Sequence, residues 1–188
     1  MCMHEDDSDI KIAPGHFEQH VELDCDEEAD EFLTEKNNGN IAKAHDLGYK
    51  LAEEVLREDG ESLFGIDDTE DRLAIKHRRI LFAYAVDISL EEYLPNSLTA
   101  QTALNSFYDH LKESAPLLYN DISESGAFTL YILCRRTHTD HIEDCIGRTF
   151  AKLCEQEDVK SYQALGSALF DKYITTTERI IGKFQFAS

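Results

Sequence analysis

Residues 67 to 71, DDTED, place three aspartates at the spacing DDxxD. Carboxylate oxygens are the ligands that Mg²⁺ prefers, which makes Asp67, Asp68 and Asp71 candidate metal ligands. The same residues also fit the start of a helix, because Asp68 is a good N-cap and an acid in the first turn interacts favourably with the helix dipole. The helix start requires no second metal-binding motif, and the pattern favours it over a magnesium site.

A second pair of carboxylates, Glu28 and Glu31, repeats the ExxE or DxxD spacing further upstream. The combination of E28xxE31 with D68xxD71 resembles the carboxylate pairs of all-α nucleotide pyrophosphatases. That resemblance implies a magnesium-dependent phosphohydrolase or pyrophosphatase that holds its metal through these residues and Asp67. We keep this enzyme as an alternative, and Mg²⁺ is a cofactor only in that case. The favoured interpretation is a non-enzymatic protein without a cofactor.

The dipeptide His45-Asp46 resembles the HD dyad of metal-dependent phosphohydrolases. Further ligands for such a site would be His16, His20, Asp87 and Asp109. The dyad normally ends an apolar helix, whereas His45 follows NNGN by five residues and lies near a predicted helix start. A surface histidine beside an aspartate is the interpretation that the context favours.

The segment HTDHIEDC, residues 138 to 145, places His141 and Cys145 one helical turn apart, with His138 nearby. Imidazole and thiolate groups at this spacing could bind zinc. Cys145, however, shares a helical stripe with Ile142 and Ile146, so we expect it to point into the core. A domain of this size also needs no structural metal, which favours a packing role.

The cysteines and the N-terminus indicate an intracellular protein. The five cysteines include no CxxC pair, a pattern typical of reduced thiols that pack as small hydrophobic residues. MCMHEDDSDI has neither the basic nor the apolar region of a signal peptide. No apolar run approaches the roughly 20 residues of a membrane span. We expect a cytoplasmic location and no membrane interaction.

The net charge of −20 is concentrated at the front of the chain. Residues 1–70 contain 22 acids and 5 bases, and residues 71–188 contain 16 acids and 13 bases. Such a field repels phosphate backbones, which argues against nucleic-acid binding. Two basic runs, KHRR at 76–79 and RR at 135–136, are exceptions. We expect them to pair with nearby acids or with the acidic N-terminal segment.

The chain divides into an acidic N-terminal arm, residues 1–39, and a single domain, residues 40–188. The arm has too few aliphatic residues to fold alone. Apolar residues recur at intervals of three and four through the rest of the chain, which predicts an all-α bundle of about six or seven helices. The run AFTLYILC, residues 127–134, is apolar on nearly every side and is predicted to be the central helix.

No common nucleotide, hydrolase or metalloprotease signature is present, and no basic recognition helix stands out. The favoured function is therefore a protein–protein interaction or regulatory module that binds a protein partner or a second copy of itself. A third possibility is a helical sensor for a small ligand. Such a sensor would have an apolar cavity of about 300 Å³ or more beside Arg78 or Arg135.

Overall fold

The computed structural model describes residues 25–58, 72–137 and 141–187. These residues form eight α-helices and no strand, which confirms the predicted all-α class. The helices are α1 (Cys25–Asn37), α2 (Asn40–Leu56), α3 (Arg72–Tyr93), α4 (Ser97–Ser114), α5 (Pro116–Glu124), α6 (Ala127–Thr137), α7 (Ile142–Leu153) and α8 (Lys160–Ile181). The count exceeds six or seven because α1 lies within the predicted arm and because Pro116 begins a helix of its own.

Helix α3 is the centre of the bundle. Every residue from 80 to 86, ILFAYAV, is buried, and α3 contacts α2, α4, α5, α6, α7 and α8. A helix that is apolar on all sides is stable only when other helices surround it. The prediction that residues 127–134 form the central helix is therefore wrong in its placement, although the segment is helical.

Helix α6 instead lies at the surface, where one side packs against α3, α5 and α7. Its buried residues are Ala127, Tyr131 and Cys134. Leu130 and Leu133 are 39% and 47% exposed. The segment is as apolar as a core helix, but most of its outer side has no neighbouring helix within the described residues.

Two pairs of helices cross closely through glycines. Gly48 of α2 lies against the backbone of α4 near Ala103 and Phe107. Gly147 of α7 and Gly166 of α8 face each other in the same way. Because glycine has no Cβ, the backbones can approach more closely than side chains would allow. These contacts fix α2 against α4 and α7 against α8.

Two helix boundaries follow from local sequence. The cap of α4 is Asn96, whose side chain accepts a hydrogen bond from the Thr99 amide at 2.9 Å. The segment SLEEYL continues α3 up to Tyr93. Nothing in its local sequence interrupts the helix before Pro95.

A buried polar cluster fastens α1 and the C-terminal tail to the bundle. The Asn40 amide donates to the Glu35 carboxylate at 2.6 Å and to the Ala187 carbonyl at 2.9 Å. Asn96 donates to the other Glu35 oxygen, also at 2.9 Å. Buried polar groups need such partners, so the cluster specifies how these segments meet. Residues 1–24, the remainder of the predicted arm, lie outside the described residues.

The cysteine prediction is wrong for one pair. Cys134 of α6 and Cys145 of α7 form a disulfide, with 5.6 Å between their Cα atoms. Consecutive helices joined by a short connection bring the two residues within the distance that a disulfide spans. Cys154 is buried, as expected for a small hydrophobic residue.

None of the described helices is both long enough and apolar enough to cross a membrane.

Candidate functional site

A cleft of about 420 Å³ lies between α3 and α6, and we take it as the candidate site. Its lining comprises Tyr84, Asp87, Ile88 and Glu91 from α3 with Ile132, Arg135 and Arg136 from α6. The α3 residues recur at intervals of three and four and therefore share one face of that helix. The α6 residues follow the same rule, so two local helical patterns create the cleft where the helices meet.

The cleft contains an ion pair across its mouth. The Arg135 guanidinium donates to the Glu91 carboxylate at 3.2 Å, and both side chains are exposed. An exposed pair of this kind contributes less than about 1 kcal/mol. Arg136 is exposed next to this pair and forms no ion pair with any described residue. One guanidinium group of the cleft is thus available to a ligand.

Asp87 is a half-buried carboxyl group in the lining of the cleft. Burial, and to a smaller extent the Glu91 carboxylate, raise the pKa of its carboxyl to about 6, although Arg135 acts in the opposite direction. Near neutral pH, small changes in its surroundings therefore change the protonation of this carboxyl group. The neighbouring Tyr84 hydroxyl donates to the Tyr131 carbonyl at 3.1 Å, and burial raises the pKa of Tyr84 to about 12. The Tyr84 hydroxyl is therefore neutral, and its hydrogen bond fixes the position of the side chain in the lining of the cleft.

The cleft has the volume predicted for a small-ligand sensor, and it lies beside Arg135. It differs from that prediction because four charged side chains line it and it opens at the surface. Arg78, the other residue expected beside a ligand cavity, is 1% exposed and forms an ion pair with Glu58. These residues therefore line a charged cleft at the surface and not an apolar cavity in the core.

The residues of the basic run KHRR have partners on neighbouring elements. Lys76 pairs with Asp121, Arg78 pairs with Glu58, and Arg79 donates to the Glu58 carbonyl at 2.7 Å. The first two contacts confirm that part of the KHRR run pairs with nearby acids, whereas Arg79 bonds to a backbone carbonyl.

Most of the predicted metal ligands lie outside the described residues. Asp67, Asp68 and Asp71 are among them, as is the side chain of Glu28. Glu31 is exposed on α1 and lines a shallow surface cleft with Ser97, Leu98 and Gln101. The magnesium site therefore stays an alternative that the described residues do not test.

The HD dyad lies at the surface. The His45 and Asp46 side chains are exposed, with 3.9 Å between Nδ1 and the carboxylate oxygen. Asp87 and Asp109 lie in two different clefts, and His16 and His20 lie outside the described residues. Among the residues that the structure describes, no three His, Cys, Asp or Glu side chains group closely enough to hold a metal ion.

The candidate zinc ligands, which the sequence favoured as packing residues, are not brought together within the described residues. Cys145 is in the disulfide and has no thiolate to offer a metal, and His138 lies outside the described residues. His77 is buried at the edge of the core. Burial and the Lys76 ammonium lower the pKa of His77, although Asp121 raises it, so this histidine is neutral at physiological pH.

His110 and Glu53 form a pair that the sequence did not single out. The His110 Nε2 and the Glu53 carboxylate are 2.7 Å apart, and Tyr49 packs on the imidazole with 4.2 Å between ring centroids. The Ser114 hydroxyl lies 3.4 Å from the same nitrogen. A nucleophile and an orienting acid must contact opposite nitrogens of a catalytic histidine. This arrangement is therefore not a hydrolase triad.

Comparison with protein-family models, with curated proteins and with solved structures found no match. The function must be inferred from the surfaces and clefts themselves.

We expect Asp87→Asn to stabilise the protein at neutral pH but not in acid. In the native state the pKa of Asp87 is about 6, above its ordinary value of 3.8, so the folded chain binds more protons between these values. Stability therefore falls as the pH rises through this window. Allowing for partial exposure, asparagine should recover about 1–2 kcal/mol at pH 7. Urea unfolding from about pH 4 to pH 7.5 measures the difference.

Glu92→Gln, an exposed change on the same helix, is the control. Equal stabilisation of both variants at neutral pH, or a gain from Asp87→Asn that is constant across the pH range, would contradict the assignment to Asp87.

Proposed function

We propose that this protein is a protein-binding module and that α6 presents an apolar and basic face to an acidic, amphipathic segment of a partner. The observation that carries the proposal is the exposure of Leu130 and Leu133 on a helix that ends in Arg135 and Arg136. The proposal follows from the surface chemistry of α6 in an otherwise acidic protein.

The face of α6 has the spacing of a docking surface. Leu130, Leu133 and Arg136 recur every three residues and so lie close together along the helix surface. Ile132, which is 37% exposed, lies at the edge of the cleft with α3. Neighbouring exposed aliphatic side chains are typical of surfaces that bind other proteins.

Charge complementarity favours an acidic partner. Residues 127–137 contain two arginines and no acid, although the whole chain carries a net charge of −20. At physiological ionic strength, charges interact over about 8 Å, so the charge at the contact governs docking more than the distant acids do. Arginine binds carboxylates through two parallel hydrogen bonds, and Arg136 is free to do so within the described residues.

A short amphipathic helix is the form of partner that fits this face. Helices dock through apolar residues at intervals of three and four, and acids beside these residues would meet Arg136. A contact limited to one helix face is smaller than the roughly 1,200 Å² of a stable interface. We therefore expect a transient complex rather than a permanent one.

The test uses a fluorescein-labelled synthetic helix with leucines on one side and glutamates flanking them. We expect it to bind the wild-type protein and to lose about tenfold or more in affinity with Leu133→Asp or Arg136→Glu, because each change places an acid against the glutamates. Fluorescence anisotropy gives the Kd. The matched control is Leu117→Asp on α5, where the leucine is 81% exposed, and it should leave the Kd unchanged.

Two results would contradict the proposal. One is equal binding by the wild-type, Leu133→Asp and Leu117→Asp proteins. The other is light scattering that detects a dimer which Leu133→Asp dissociates, since the face would then bind a second copy of this chain.

A further inference from the structure

A second cleft, of about 590 Å³, lies where α4, α5 and the start of α6 meet. Its lining comprises Asn105, Tyr108 and Asp109 from α4, Tyr119, Ile122 and Ser123 from α5, and Phe128 from α6. The volume lies within the range of small-molecule sites. Three aromatic rings and one carboxylate dominate its chemistry.

Packing holds two of the rings nearly perpendicular to each other. The Tyr108 and Tyr119 ring centroids are 6.4 Å apart, with an angle of 75° between the rings. Phe107 packs edge-on against Tyr108 at 5.1 Å, and Tyr84 packs edge-on against Phe128 at 5.4 Å. Rings that their neighbours fix in this way can present faces to a ligand without losing further conformational freedom.

Two carboxylates near the rings favour a cation. Asp109 lines the cleft, and the Asp87 carboxylate is close enough to help raise the pKa of Tyr108, after the larger effect of burial. The Lys112 ammonium already lies 5.9 Å from the centroid of the Tyr119 ring. The face of an aromatic ring carries partial negative charge and attracts such groups. The net charge of −20 acts in the same direction.

We propose that this cleft binds a small organic cation of the quaternary-ammonium class, with Tyr108, Tyr119 and Phe128 contacting its methyl groups and Asp109 balancing its charge. Quaternary ammonium groups are bulky and cannot donate hydrogen bonds, so aromatic faces suit them better than carboxylates alone. A small anion is disfavoured because the lining contains no basic residue. Ile122, a buried residue of the lining, adds an apolar surface for the methyl groups.

Choline chloride is the first probe, and 3,3-dimethylbutan-1-ol, which has the same shape without the charge, is its control. Both are titrated into the full chain at matched ionic strength, with sodium chloride as the second control. NMR shifts of the tyrosine ring protons report binding. We expect choline to bind about tenfold more tightly than the alcohol, the difference that a desolvated cation–π contact provides.

Variants locate the site. Tyr119→Leu removes one ring and should lower the affinity for choline about tenfold. Tyr119→Phe keeps the ring and should retain that affinity. Lys112→Gln removes the cation that competes for the same ring and should strengthen binding about twofold to threefold. Tyr49→Leu replaces an exposed tyrosine that stacks on His110, outside this cleft, and should change nothing.

Thermal melting of each variant confirms that it is folded. The proposal fails if choline and the alcohol bind equally, if neither shifts the tyrosine resonances more than sodium chloride does, or if Tyr119→Phe loses as much affinity as Tyr119→Leu.

Discussion

Gly48→Ala is expected to lower the free energy of unfolding by about 3 kcal/mol. A Cβ at this position would lie 2.9 Å from both the Phe107 amide nitrogen and the Ser106 Cβ, and closer still to the Ala103 carbonyl oxygen. Two of these atoms belong to the backbone of α4, which can yield only if the whole helix shifts. The steric overlap outweighs the gain of roughly 1 kcal/mol that alanine provides over glycine in a helix interior.

Thermal unfolding followed by circular dichroism measures this effect. For a chain of this size the loss corresponds to a fall in Tm of about 6–12 °C. Gly182→Ala is the matched control, because its Cβ would meet the Glu178 carbonyl at 3.4 Å, an ordinary contact distance. Similar melting temperatures for the two variants would mean that α2 and α4 do not cross as closely as described.

Glu58→Gln is expected to cost about 3 kcal/mol, because it removes the carboxylate charge from a buried ion pair with the Arg78 guanidinium. The Glu58 carboxylate lies 3.5 Å from the Arg78 guanidinium and 3.4 Å from the Lys172 ammonium. The Arg78 side chain is 1% exposed and that of Glu58 is 8% exposed. Water therefore cannot replace the lost carboxylate charge.

The control for this change is Glu54→Gln, which removes an exposed pair with Arg57 and should cost less than about 0.5 kcal/mol. Urea unfolding gives both values. The double variant Glu58→Gln/Arg78→Met should recover at least half of the loss, since a well-packed apolar group can replace a buried pair. If Glu58→Gln is no more costly than Glu54→Gln, the buried pair does not stabilise the fold.

Local sequence patterns drew attention to individual residues of the candidate site, but they did not predict that these residues line one cleft. Tyr84 and Asp87 on α3 and Arg135 on α6 are visible as local patterns, and Asp87 was considered only as a metal ligand. Its raised pKa depends on burial and on Glu91, and Arg135 reaches the same cleft only because α6 packs on α3. Contacts between residues more than 40 positions apart cannot be read from local periodicity.

The aromatic cleft was missed for a similar reason. Helical spacing places Tyr108 on the apolar side of its helix, and nothing in the local sequence singles out Tyr119. The signal was present as a tyrosine followed by an acid, Tyr108 and Asp109, but a stripe at helical spacing is far more often part of the core. Only the approach of α5 to α4 brings the second ring within 6.4 Å of the first.

What the sequence determined by itself was the all-α class and the concentration of acid in residues 1–70, because helical periodicity and charge are local properties of the chain. Tertiary structure decided which apolar segment became the central helix, which cysteines paired and which arginine was buried. Residues 80–86 and 127–134 are similarly apolar, yet only α3 is surrounded. The difference arises because burial depends on the fit among several helices, including close contacts at Gly48 and Gly147, and that fit is a property of the whole bundle.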